Sequence, residues 1–144
     1  MTKQVYYEDV EVGMELPPLT KGPLVLKDLV KWAGAIDDYS EIHYDDAYSR
    51  ARGLPGPITH GPFKSAFIAQ MLTNWIGPGG VFKKLSCQYR RMDVPGDTLT
   101  CKGKVTKKYV QNGEHLVECE VWAENGKGEI TTPGTAIVAL PAAD

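Results

Sequence analysis

Apolar positions change their spacing once along this chain, near residue 80. Before it, Leu26, Leu29, Val30, Ala33 and Ile36 recur at the three- and four-residue intervals of one helix face, which predicts a helix over 27–38 with that face buried. Residues 44–52 predict a short second helix with Asp45 and Asp46 in its first turn, where the helix dipole favours negative charge. Over 62–75, Phe63, Ala66, Phe67, Ile68, Ala69, Met71, Leu72 and Trp75 cover most of the circumference, and a helix apolar nearly all round is a buried helix. Pro62 suits its first position, because the missing N–H would be unpaired there anyway. After Gly77-Pro78-Gly79-Gly80 the period shortens towards two, which predicts strands over 81–91, 98–109, 114–124 and 129–140. Leu99, Cys101 and Val105 share one face, as do Val117, Cys119 and Val121. Asn112-Gly113 between two strands predicts a tight hairpin, and Pro95-Gly96-Asp97 and Asn125-Gly126 mark the other turns. Residues 1–24 read as extended and turn-rich. Helices first, then a strand meander, with one helix too apolar for a surface, predict an α+β fold: a curved antiparallel sheet wrapped around a long central helix.

The 144 residues suffice for one domain, 1–144, with one core, and 42% apolar with 24% charged is an ordinary globular composition. Net charge is −2, and the basic residues fall in short pairs such as Lys83-Lys84, Arg90-Arg91 and Lys107-Lys108, read as solvated strand residues. There is no basic stripe for nucleic acid and no apolar run long enough for a membrane span. Residues 1–16 are acidic, which is not the pattern of a secretory signal. Cys87, Cys101 and Cys119 have no paired spacing and read as buried reduced thiols, so a cytoplasmic protein is expected.

Candidate chemistry gathers where the first helix runs out. Asp38 and His43 are five positions apart; in one continuous helix they would point about 140° away from each other. They face one cavity only if the helix breaks between them, and the break is expected at Ser40-Glu41. Such a pair could hold a water between a proton acceptor and a proton donor. A solvated acidic helix end and a structural histidine account for the same residues without chemistry. By helical spacing, Asp37 lies nearer the apolar face than Asp38 does. His60-Gly61-Pro62 opens the apolar helix, whose first N–H groups lack internal partners and would stabilise a carbonyl oxygen gaining charge. Gly61 lets a ligand approach the backbone closely. His115, beside the hairpin, is expected to be exposed, and no spacing of Cys and His suggests a metal site.

The run from Trp32 through Asp38 to His43, followed by His60-Gly61, resembles the signature of the MaoC-like dehydratases, the R-specific enoyl-CoA hydratase family. The resemblance spans nearly the whole chain. It implies the hotdog fold, and reversible hydration of a trans-2-enoyl thioester, with the coenzyme A ester as substrate and no metal or redox cofactor. It places Asp38 and His43 as the catalytic pair and Gly61 as the backbone donor to the thioester oxygen. Ser40, His60 and Pro62 are then expected to line the substrate site. It also implies a homodimer, or pairing with a second hotdog subunit. A hotdog thioesterase, or a non-catalytic subunit completing a partner's acyl site, would share these features. Ser40-Glu41 stands where the family signature has Asn-Pro, so proline does not fix the helix break here.

Overall fold

The computed structural model describes residues 3–144. Five antiparallel strands form one sheet in the order β1-β3-β4-β5-β2. They are β1 (Leu19–Lys21), β2 (Val81–Cys87), β3 (Leu99–Gln111), β4 (Glu114–Glu124) and β5 (Ile130–Ala139). The ladders shift register between Phe82 and Lys84, between Val105 and Lys107, and between Ala123 and Glu124. Such bulges add twist, and the sheet curls into a half-barrel. Helix α3 (Gly61–Ile76) lies in its hollow and touches all five strands. Ile68, Met71 and Leu72 on α3 are 0–1% exposed; burying each contributes roughly 1.5–3 kcal/mol. They meet Cys101, Val105, Val117, Cys119, Val121 and Val138 from the strands, the inward positions of the two-residue alternation. This is the hotdog architecture.

The hairpin forms as its sequence requires: Asn112 and Gly113 both have positive φ, 52° and 76°. Three details differ. The N-terminal extended stretch contributes β1, paired to β3, as an edge strand. Strand β2 ends at Cys87, and residues 88–91 run over the start of α3 without regular strand geometry while still bonding to β5. His115 is half-buried, its ring 4.9 Å from that of Tyr7.

Helix α1 (Leu26–Ile36) begins with the Asp28 carboxylate accepting the Val25 N–H at 2.8 Å. Only Leu29 and Ala33 of its apolar stripe are buried; Leu26, Val30 and Ile36 are 40–47% exposed. The helix stands outside the sheet, with no strand across that face, and Trp32 instead stacks on Phe63 of α3 at 4.7 Å. In α2 (Asp46–Ala51), Asp45 is the cap rather than a first-turn residue, its carboxylate accepting the Tyr48 N–H at 2.9 Å.

Candidate active site

The break that frees Asp38 comes earlier than the sequence indicated. Asp37 ends α1 in the left-handed conformation (φ 57°, ψ 33°), and Asp38 N–H closes back onto Ala33 O at 3.0 Å. This is the usual way to end a helix, with aspartate where glycine is commonest. Asp and Asn tolerate that conformation better than other side-chain-bearing residues. The chain therefore turns before Asp38. Ser40-Glu41 only starts a short 3-10 turn, Glu41–His43, which carries the histidine.

Two bonds fasten that turn to the loop before α3. Ile58 N–H donates to Ile42 O at 2.9 Å, and His43 Nδ1 lies 2.7 Å from Ile58 O. A carbonyl only accepts, so His43 Nδ1 carries hydrogen, and in the neutral ring Nε2 is left as an acceptor. That nitrogen sits 3.9 Å from Asp38 Oδ2. The other carboxylate oxygen accepts the Ser40 N–H at 3.2 Å. Asp38 is half-exposed, whereas the His43 side chain is 11% exposed.

His60 lies behind this pair, 1% exposed, with its ring stacked on His43 at 3.6 Å and 19°. Its Nε2 is 3.3 Å from Asp38 O, and its Nδ1 has no partner among the described residues. Burial lowers the His60 pKa, and neighbouring His43 lowers it further, against the opposing pull of Asp38. A residue expected to touch substrate thus forms a buried strut from α3 to the backbone of Asp38. Asp38, His43 and His60 offer ligand-type atoms within 4.8 Å of one another. His60 Nε2 lies 3.7 Å from Asp38 Oδ2 as well as close to the Asp38 carbonyl, so the carboxylate faces both rings.

A cleft of about 570 Å³ opens in front of His43, lined by Ile58, Gly61, Pro62, Lys64, Tyr89 and Met92 among others. Gly61 is the first residue of α3, and its N–H donates to nothing among the described residues. Pro62 forms an exposed rim, and the Ser40 side chain is exposed, its backbone N–H being the part that serves Asp38.

The site also holds residues that sequence reasoning missed. Lys64, on the first turn of α3, is 2% exposed and donates to Asp93 Oδ2 at 2.8 Å and to Arg91 O at 2.9 Å. Asp93 is fully buried, and its backbone carbonyl accepts the Thr59 N–H at 2.7 Å, beside His60. A lysine in the first turn of an apolar helix, where the dipole disfavours a cation, was the available signal.

The family model described as "MaoC like domain" matches residues 10–126. The chain belongs to the MaoC-like family. Among solved structures, this MaoC-like chain is similar to R-hydratase PhaJ1 from Pseudomonas aeruginosa, at 26% identity and a TM-score of 0.85, covering 97% of this chain and 88% of that one. It is similar in fold to the (R)-hydratase from A. caviae, at 21% identity and a TM-score of 0.82 over 93% and 99% of the two chains. The ChsH1-ChsH2 complex from Mycobacterium tuberculosis matches at 24% identity and a TM-score of 0.78, over 90% and 98%. Among curated proteins, fatty acid synthase subunit beta of Saccharomyces cerevisiae is 29% identical over 115 residues, 74% of this chain. The MaoC-like chain spans only 6% of that protein's length. Among the described residues, no helix is long and apolar enough to cross a membrane.

Proposed function

We propose that this protein is a hydro-lyase that adds water reversibly across a trans-2-enoyl thioester, with a coenzyme A ester as the substrate. One observation carries the reading: His43 Nε2 and Asp38 Oδ2, both acceptors, face each other across 3.9 Å. They need a shared donor. A water about 2.8 Å from each meets both at roughly a right angle, gives one hydrogen to each, and turns its lone pairs towards the cleft.

The thioester carbonyl would accept from the unpaired Gly61 N–H at the start of α3, where backbone dipoles favour developing negative charge. The water oxygen bonds to Cβ while one of its hydrogens passes to the Asp38/His43 pair. The C=C electrons move to Cα and onto the carbonyl oxygen as an enolate held by Gly61, and Cα then takes a proton back from the pair. Dehydration reverses each transfer. The P. aeruginosa and A. caviae neighbours are R-hydratases by name, which supports the reading.

The reading extends to assembly. Among the described residues, strand β2 pairs only with β5, and its outer end carries Val81 and Phe82, 51% and 37% exposed. A second copy, or another hotdog chain, would continue the sheet along this edge. Light scattering at micromolar concentration should give a mass above that of one chain.

Loss of enoyl-thioester absorbance with crotonyl-CoA tests the chemistry. Asp38→Asn and His43→Gln should each lower kcat by about 10²–10⁴ with unchanged circular dichroism. Full activity in Asp38→Asn, or release of free thiol without hydration, would sink the proposal.

A further inference from the structure

Tyr89 lies just past β2, on the loop that crosses the start of α3. Its segment is fixed on both sides. Gln88 N–H donates to Pro133 O at 2.9 Å, Arg90 and Arg91 N–H reach Thr131 O at 3.0 and 3.2 Å, and Lys64 Nζ donates to Arg91 O. The Tyr89 ring is pressed onto Gly61. A Cβ built on Gly61 would lie 2.6–2.8 Å from ring atoms Cδ2, Cε2 and Cγ. The hydroxyl is 3.1 Å from Ser65 Oγ, whose own hydrogen goes to Pro62 O at 3.0 Å, so Tyr89 is the donor of that pair. The ring is therefore anchored at its far end to the first turn of α3 while remaining about half-exposed along the cleft.

We propose that Tyr89 is a specificity-determining residue: its ring walls the space beside Gly61 and limits the substrate to a hydrogen at Cα. The inference rests on the reading above, in which the thioester oxygen takes the Gly61 N–H. A carbonyl held there brings its Cα against the same backbone surface that the ring covers. A methyl at Cα then meets the ring as a Gly61 Cβ would. A straight chain passes along the cleft and does not meet it. Lys64 and Asp93 act through the loop as positioning residues, fixing the backbone on which Tyr89 stands.

The test compares crotonyl-CoA with its 2-methyl homologue, in wild type, Tyr89→Ala, Tyr89→Leu and Tyr89→Phe. One methyl group excluded by a wall is worth about 10- to 200-fold in kcat/KM. Wild type should prefer the unbranched substrate by that margin. Tyr89→Ala and Tyr89→Leu should erase most of the preference, and Tyr89→Phe, which keeps the ring, should retain it. Calorimetric binding of the saturated analogues, butanoyl-CoA and 2-methylbutanoyl-CoA, gives the same comparison without chemistry. Active wild type whose preference survives Tyr89→Ala overturns the role of Tyr89 and leaves the hydratase reading standing. Inactive wild type whose binding preference vanishes in Tyr89→Ala does the reverse. No binding of either analogue overturns both.

Discussion

Replacing Lys64 with methionine should destabilise the protein far more than a typical lysine substitution. Lys64 is 2% exposed and Asp93 is fully buried, joined at 2.8 Å. The second Asp93 carboxylate oxygen has no partner among the described residues. Methionine keeps the aliphatic stem and deletes the ammonium, so little packing is lost, but a carboxylate remains buried with neither oxygen paired. Breaking a buried pair in this way costs about 3–5 kcal/mol. For a chain of this length that lowers Tm by roughly 6–20 °C, at about 2–4 °C per kcal/mol. Thermal melts by circular dichroism, with urea titrations for the free energies, read the effect directly. The double variant Lys64→Met/Asp93→Leu removes both charges and should recover most of the loss, because apolar replacements of buried pairs are neutral or stabilising in many cases. Lys64→Met within about 1 kcal/mol of wild type, or a double variant less stable than Lys64→Met, would refute the reasoning.

Three further outcomes are expected. Burial holds His60 below its ordinary pKa of 6.5, so the unfolded chain takes the proton first and stability falls as pH drops below 6.5 towards the folded-state value. Urea midpoints between about pH 5 and 8 should show this slope, up to roughly 1.4 kcal/mol per pH unit, and His60→Gln should flatten it; parallel curves would dismiss the effect. Asp37→Gly should stabilise by roughly 1 kcal/mol and Asp37→Val destabilise by roughly 1–2 kcal/mol, the penalty for a left-handed residue; equal stabilities in urea would contradict the role of that conformation. Burial pushes the Cys101 and Cys119 thiols up to about 12, so a thiol reagent at mildly alkaline pH should label neither before unfolding, and prompt labelling of either counts against it.

Much of the fold was legible in the sequence. The central helix showed itself by being apolar on nearly every side, and the strands by alternation that the burial of Leu99, Cys101, Val105, Val117, Cys119 and Val121 repeats. Ser40-Glu41 stands where the family signature carries its helix-breaking proline, so the pattern points to a break there. The actual turn rests on a positive φ at Asp37, a conformation that a sequence permits but does not announce. The exposed half of the α1 stripe was misassigned because periodicity identifies an apolar face without showing whether anything covers it. Cys87 is half-buried rather than buried, near the end of the outermost long strand. Lys64 and Asp93 are 29 positions apart, and Tyr89 reaches Gly61 from an irregular segment past the end of β2. Those contacts depend on tertiary placement, and no local pattern carries them.

The stacked imidazoles also set how much charge the pocket can hold. Like charges face to face at 3.6 Å repel strongly, so charge on the His43 ring opposes charge on His60. Positive charge at the cleft comes instead from the opposite wall, where Arg90 and Arg91 line it beside Tyr89, so the stack and the wall divide the pocket's charge between them.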